Sequence, residues 1–170
     1  MTTSPALLLR PATPDAARSL APCLRFQDVC EIKASSGLSP SASLLRGVEI
    51  SEWAYAVELE GKVAALFGVA EMAPGSAAFR IGVPWLLGAD AFFREVGTFR
   101  LHRQALEWLK RMHEDFPYLV NVVDSRNVSA IQWLSRLGFE FTALHPRYGA
   151  AQLPFIQFER FDESCVTPSL

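Results

Sequence analysis

The sequence predicts an α/β (α+β) fold, with a mixed central sheet of about six or seven strands and helices on both faces. Apolar residues alternate in a three-strand meander in the first half of the chain, and a β-α-β-α order follows in the second. The 170 residues are 50% apolar, which suits one domain with a sizeable core. We expect that domain to span residues 1–161 and residues 162–170 to form a loose tail.

The first half begins with a predicted buried strand over residues 6–10. A helix then follows, capped by Thr13 with Pro14 at its first position. Its pattern continues, with interruptions, to Gly37, and a second, short helix is predicted around residues 42–47. The meander that follows is assigned to residues 53–59, 63–69 and 77–87.

Pro84 lies late in the third meander strand. Proline has no N–H to give to a strand ladder, so we expect this position at a sheet edge or where two strands part.

The second half begins with the clearest helix, over residues 98–116. It places Leu101, Ala105, Trp108, Leu109 and Met112 on one face. A short strand over 119–123 precedes a helix that Gly138 ends in a left-handed conformation. Two last strands are predicted over 139–144 and 155–161.

Composition argues against several classes of function. The 16 Lys and Arg residues against 18 Asp and Glu give a net charge of −2, so we expect no nucleic-acid partner. The longest uncharged stretch, residues 34–45, is short and rich in serine, and the apolar run at 6–9 lacks a basic segment before it. We therefore expect no membrane span, no signal peptide and a cytoplasmic protein.

Cysteine and histidine positions suggest neither a disulfide framework nor a metal site. Cys23, Cys30 and Cys165 are few and scattered, and we interpret Cys23 and Cys30 as small buried hydrophobic residues. The three histidines, which we assign to surface or packing positions, lack metal-ligand spacing: His102, His113 and His145.

The element order and one late string together resemble the GNAT superfamily of acetyl-CoA-dependent N-acetyltransferases. The string runs from Asn127, which can cap a helix, through Ala130 and Trp133 to Leu137-Gly138-Phe139. The resemblance covers nearly the whole chain. It implies acetyl transfer from acetyl-CoA, or another acyl-CoA, directly to an amine, without a covalent enzyme intermediate.

A narrower resemblance concerns phage proteins. Segments 67–69, 82–88 and 123–127, with Asp90, look like a group of phage-encoded GNAT-like proteins related to the short internal virion protein A of short-tailed phages. Members of that group need not be active enzymes. The resemblance therefore implies an alternative, a GNAT-shaped protein that binds a host enzyme, a host regulator or a virion component. The oligomeric state is left open, with a homodimer among the options.

The GNAT resemblance places acetyl-CoA between two splayed strands, here 77–85 and 119–123, with its pyrophosphate on the N–H groups of the next helix. In the pyrophosphate motif Arg94 and Gly97 match, whereas Phe99 replaces a small residue. The cofactor-binding residues that follow are Val83, Trp85, Arg94, Gly97, Arg100, Arg103 and Asn127.

Catalysis would need a base for the amine and an acid for the departing thiolate. Asp90, Asp124 and Glu71 stand at or just past predicted strand ends and are the candidate bases, although Asp124 can instead hold the turn before Asn127. Where the family has a tyrosine as the acid, this chain has Leu134. Ser135 and Tyr148 are the substitutes if the fold brings them to the thiol.

Acceptor selection in this family comes from the first two helices and the last hairpin. Asp28 and Glu31, with Glu52, would form an acidic entrance for a cationic amine, and Phe26 and Trp53 would line it. The expected acceptor is a small-molecule or protein amine. Solvated surface is the competing interpretation of these residues.

Overall fold

The computed structural model describes residues 7–73 and 80–162. Within them lie seven strands and six α-helices. The strands are β1 (Leu7–Pro11), β2 (Ser51–Leu59), β3 (Lys62–Glu71), β4 (Ile81–Gly88), β5 (Tyr118–Asp124), β6 (Glu140–Tyr148) and β7 (Leu153–Phe161). The helices are α1 (Pro14–Leu20), α2 (Phe26–Ser35), α3 (Pro40–Ile50), α4 (Asp90–Val96), α5 (Thr98–Asp115) and α6 (Val128–Arg136).

All seven strands form one mixed sheet in the order β1-β2-β3-β4-β5-β7-β6. The predicted mixed α/β sheet is therefore confirmed. Every neighbouring pair is antiparallel except β4 and β5 at the centre, which run parallel. The carboxyl ends of these two central strands consequently lie at the same edge of the sheet.

Helices cover both faces of the sheet, and each face has its own apolar core. Consecutive residues of a strand point to opposite faces, as Ala56 and Val57 of β2 illustrate. Ala56 packs with α1, α2 and α3, around Leu20 and Leu44. Val57 packs with α4 and α5, around Phe92.

Local signals in the sequence explain several helix ends. The Thr13 hydroxyl accepts a hydrogen bond from the Ala16 N–H at 3.1 Å, which confirms the predicted cap of α1. Ser39 caps α3 in the same way, by a 3.2 Å bond from the Ala42 N–H. Gly138 has a φ of +82°, as its predicted place after α6 requires.

Several predictions for the first half are corrected. The first strand, expected to be buried, is a mostly exposed edge strand because only β2 pairs with it. The first helical stretch is broken by a 3-10 turn at Ala21–Cys23, which contains Pro22, so three helices precede β2 instead of two. Cys23 is exposed on this turn and Cys30 is half-buried, so neither is a core residue.

The region around β4 and the end of the chain also differ from the sequence prediction or lie partly outside the described residues. Residues 77–79, expected to begin the third meander strand, lie outside the described residues, as do Cys165 and all of the expected tail except Asp162. Helix α4 was not predicted; Asp90 is its first residue, and no side chain caps it.

Candidate functional site

The central feature of the site is a gap between β4 and β5. Only Ile81 with Tyr118 and Gly82 with Leu119 pair across it, and beyond them the strands diverge. Just past the last pair, the Asn121 side chain donates a hydrogen bond to the Pro84 carbonyl at 2.9 Å. Pro84 therefore lies where two strands part, as its sequence position predicts.

Backbone direction determines which residues of β4 present polar groups to the gap. The Met72 N–H donates to the Ile81 carbonyl at 2.8 Å, and the Ala89 N–H donates to the Ala64 carbonyl at 2.9 Å. The register of β3 and β4 is unbroken between these two bonds. Alternation along a strand then directs the backbone groups of Val83 and Trp85 toward β3. The backbone groups of Gly82, Pro84, Leu86 and Gly88 face the gap instead.

A cavity of about 850 Å³ passes through this gap from one face of the sheet to the other. Its size is typical of small-molecule sites. On one face it is bounded by α5 and α6, with Leu101, Trp108, Ala130 and Leu134 among the lining residues. On the other it is bounded by α2 and α3, with Glu31, Ser43, Arg46 and Ile50. Val83 and Trp85 line it as well.

Helix α2 crosses the open end of the gap and is attached to both sides. Asp28 accepts a hydrogen bond from the Gly88 N–H, at the end of β4, at 3.2 Å. One turn later, Glu31 accepts one from the Asn127 side-chain amide at 3.0 Å. Asp28 is also paired with Arg25 at 2.8 Å, so its charge is compensated.

Asp28 and Glu31 are the two carboxyls that line the cavity, and burial shifts the pKa of both. Burial raises the pKa of Glu31 to about 7, and the nearby Asp28 and Asp124 carboxylates act in the same direction. The hydrogen bond from Asn127 opposes this shift. Burial also raises the pKa of Asp28, although Arg25 counteracts it. A carboxyl with a pKa near neutrality can both accept and release a proton.

The three bases expected from the sequence lie elsewhere. Asp124 is bound by Arg126 at 2.6 Å and Glu71 by Arg80 at 2.9 Å, and these hydrogen bonds hold the pKa of each carboxyl below its usual value. Asp124 also accepts the Arg126 N–H at 2.9 Å, which is the turn-holding role considered as its alternative. Neither of them, nor Asp90, is among the cavity-lining residues.

A second concavity lies at the start of α5, where the sequence suggested a pyrophosphate loop. Gly97 precedes the helix with a φ of +74°, and a Cβ there would have no atom within 4 Å. Phe99, which replaces a small residue, is 81% exposed. It borders a groove of about 450 Å³ together with Thr98, His102, Trp133 and Arg136.

Two buried polar atoms near this groove lack partners. The Nδ1 atom of His102 and the Nε1 atom of Trp133 have no hydrogen-bond partner among the described residues. Buried polar groups are nearly always satisfied in native proteins. These atoms, together with backbone N–H groups at the N-terminus of α5 and the Arg136 guanidinium, form a set of groups suited to phosphate oxygens.

Other expected site residues are separated from the cavity. Phe26 is 75% exposed at the start of α2. Trp53 packs edge-on against Phe67 on the α5 side and donates to Asp115 at 2.9 Å. Glu52 pairs with Arg80 at 2.8 Å, away from the proposed entrance. Of the expected acceptor-side residues, Asp28 and Glu31 line the cavity.

Of the residues considered for the position of the acid, one lines the cavity and two do not. Leu134 lines the cavity from α6. Tyr148 packs against Phe155 in the last hairpin, with 4.9 Å between ring centres, and neither it nor Ser135 lines the cavity. The described residues therefore place an aliphatic side chain, and no tyrosine, in the wall of this cavity.

Comparisons with solved structures identify the architecture. The chain is similar to an acetyltransferase of the GNAT family from Streptococcus pneumoniae, with 18% identity, a TM-score of 0.60, and coverage of 92% of this chain and 99% of that one. The chain has the GNAT fold. It is also similar to a ribosomal-protein-alanine N-acetyltransferase from Brucella melitensis, with 14% identity, a TM-score of 0.67 and coverage of 91% and 99%.

A third structure of similar size shares the fold. It is a ribosomal-protein-S5-alanine acetyltransferase from Vibrio fischeri, with 16% identity, a TM-score of 0.65 and coverage of 95% of this chain and 96% of that one. No protein-family profile matches the sequence, and no curated protein matches it. The GNAT fold predicted from the sequence is thus confirmed, whereas the narrower resemblance to phage proteins stays a prediction.

The described residues also bear on two other classes of site. No helix among them is long and apolar enough to cross a membrane. No group of three or more His, Cys, Asp or Glu side chains within residues 7–73 and 80–162 is arranged to hold a metal ion.

Proposed function

We propose that this protein transfers an acyl group, in the simplest case acetyl, from an acyl-CoA to the nitrogen of an amine. The observation that carries the proposal is the cavity that passes through the β4–β5 gap, with phosphate-binding groups near one face and Glu31 at the other. A cavity lined by helices from both faces would let a donor and an acceptor meet in the gap from opposite sides of the sheet.

The residues around the start of α5 fit the donor. Backbone N–H groups of its first turn, Arg136 and the unpartnered Trp133 Nε1 would hold the phosphates. Among the basic residues expected there, Arg94, Arg100 and Arg103 lie in α4 or α5 and would add positive charge. In the gap, Leu86 would direct backbone groups to the pantetheine, because Gly82 is paired with Leu119 and the Pro84 carbonyl accepts from Asn121, while Val83 and Trp85 would contribute side chains. Bound acyl-CoA would supply an activated acyl group and a thiolate leaving group.

Glu31 is the proposed base. In its carboxylate form it accepts a proton from the ammonium acceptor, so that the amine lone pair can form the N–C bond as the C–S bond breaks. Asn127 positions the carboxyl through its amide, while its side-chain oxygen accepts the Ala130 N–H at 3.3 Å and caps α6. Asn127 is thus a positioning residue as well as a cap.

Leu134 favours a second candidate function. An aliphatic residue at the wall where the family places its acid leaves the thiolate without that proton donor, which is consistent with weak catalysis. The second candidate is therefore a GNAT-shaped binding protein that attaches to a host enzyme, a regulator or a virion component, as the phage resemblance implies. Both candidates would operate in the cytoplasm, and either is compatible with a homodimer.

A thiol-release assay distinguishes the two functions. The full chain is mixed with acetyl-CoA and a panel of amines, free thiol is followed over time, and the acetylated amine is identified by mass. Acyl transfer predicts amine-dependent thiol release that falls with Glu31→Gln and is retained with Glu49→Gln, an exposed control on α3. Thiol release that is independent of the amine for every amine in the panel would contradict acyl transfer. Reproducible binding of a host or virion protein would then support the binding function.

A further inference from the structure

The acceptor side of the cavity contains an unpaired positive charge. Five charged side chains line the cavity: Arg25, Asp28, Glu31, Arg46 and Arg136. Arg25 and Asp28 neutralise each other at 2.8 Å. Arg136 also borders the groove at the start of α5, on the donor side. Glu31 and Arg46 are therefore the charges left to face an acceptor between α2 and α3.

Arg46 lies on the face of α3 that borders the cavity, and its side chain is exposed at the cavity rim. Ser43, Arg46, Gly47 and Ile50 all line it, and their spacing of three and four residues places them on one side of α3. No ion pair or hydrogen bond engages Arg46 within the described part of the chain. A guanidinium that lines a cavity without a carboxylate partner is suited to bind an anionic ligand group in a bidentate manner.

The wall beside Arg46 is apolar and aromatic. A Cβ on Gly47 would lie 3.2 Å from the Trp85 ring, so the absence of a side chain there lets the indole pack closely against α3. The indole is also held by a hydrogen bond, because its Nε1 donates to the Ser51 hydroxyl at 2.9 Å. Leu38 and Ile50 extend this apolar surface.

We infer that the acceptor is an amine that also carries a carboxylate and an apolar or aromatic body, as an α-amino acid does. This inference rests on the proposed acyl transfer and specifies its substrate class. The ammonium group lies toward Glu31, which takes its proton, and the carboxylate binds Arg46, with the Ser43 hydroxyl on the same helix face. The apolar body packs against Trp85, Leu38 and Ile50.

Matched pairs of amines test the inference. Phenylalanine and phenethylamine, and leucine and isopentylamine, differ within each pair only by the carboxylate. The wild type is expected to prefer the carboxylate member in kcat/KM. Arg46→Gln should lower kcat/KM about 10- to 100-fold for that member, mainly through KM, and leave its partner unchanged. Lys62→Gln, which removes an exposed charge in the β2–β3 hairpin, should change neither.

A binding measurement separates this inference from the proposed function. N-acetylphenylalanine, which resembles the product, is titrated by calorimetry into the wild type, Arg46→Gln and Lys62→Gln. Binding that is about 10- to 100-fold weaker in Arg46→Gln alone supports the anion subsite even if no amine is turned over. Equal binding by all three proteins, or none, overturns the subsite. Amine-dependent turnover with no carboxylate preference would overturn the subsite and leave acyl transfer intact.

Discussion

Glu31 and Asn127 are joined by a 3.0 Å hydrogen bond that connects α2 with the start of α6 across the open end of the β4–β5 gap. The same Asn127 side chain caps α6 through its oxygen, so one residue links a helix end to the proposed base. Because the carboxyl is buried, this bond partly offsets the loss of hydration that raises the pKa of Glu31.

Substituting Glu31 is expected to reduce turnover and to change its pH dependence. With a pKa of about 7, the ionised fraction of Glu31 rises through neutrality, so the wild-type kcat should rise with pH up to about 7 and then level off. Glu31→Gln should lower kcat by about 100-fold or more and remove that rise. Thiol release is measured from about pH 5.5 to about pH 9, a range that spans the titration of Glu31. These rates give both the loss of kcat and the loss of its rise with pH. A wild-type profile in Glu31→Gln would exclude Glu31 as the base.

The same carboxyl should make stability depend on pH. The folded state keeps its proton up to about pH 7, whereas an exposed glutamate loses it near 4.5, so the folded state binds more protons between these values. The contribution of Glu31 to the free energy of unfolding therefore falls as pH rises, by at most about 1.4 kcal/mol per pH unit. Glu31→Gln, which cannot ionise, should gain stability relative to the wild type between pH 5 and 8, roughly the window of this shift, in urea unfolding. A constant difference would contradict the raised pKa.

Variants of Asn127 separate its two roles. Asn127→Ala removes the cap and the Glu31 contact, and should lower the free energy of unfolding by about 1–3 kcal/mol. Asn127→Asp retains an oxygen for the cap but places a carboxylate opposite Glu31, so its loss should be small at low pH and larger above neutrality. Urea unfolding of both variants at two pH values measures this. An equal loss of unfolding free energy for Asn127→Asp at both pH values would show that the Glu31 contact is not formed.

Gly82 determines how closely the strands meet where the gap begins. A Cβ at this position would lie 2.8 Å from both Leu119 Cδ2 and Phe116 Cγ. Gly82→Ala should therefore destabilise the fold by about 1–3 kcal/mol, because these core side chains must shift. Thermal unfolding provides the measurement, and an unchanged midpoint would mean that the strands are not packed this closely.

Patterns local in sequence predicted most of the fold. The alternation in β2 and β3, the 3.6-residue period of α5 and the caps at Thr13 and Gly138 all act within one element or turn. The exposed first strand was missed because its burial depends on its place at the sheet edge, and sequence order alone does not determine that place. The break at Pro22 has a local signal, because proline removes a helical N–H.

The candidate site was predicted less completely, for a physical reason. Pro84 marked the gap because a missing N–H is a property of one residue. The protonation of Glu31 depends instead on burial and on Asn127, which lies 96 positions later in the chain. Arg126 and Arg80 likewise neutralise Asp124 and Glu71 through side-chain geometry. Arg46 had no distinguishing pattern other than its helical spacing from Ser43 and Ile50.

Binding of acetyl-CoA is the property on which the proposed acyl transfer depends. Calorimetric titration of acetyl-CoA into the full chain should show a single saturable site. Trp133→Phe keeps an aromatic side chain but removes the Nε1 donor together with part of the ring, so it should weaken binding several-fold, and Gly97→Trp should abolish it by filling the open space beside the first turn of α5. Lys62→Gln should bind as the wild type does. Absence of heat up to millimolar acetyl-CoA, or unchanged affinity in Gly97→Trp, would contradict a donor site in this cleft.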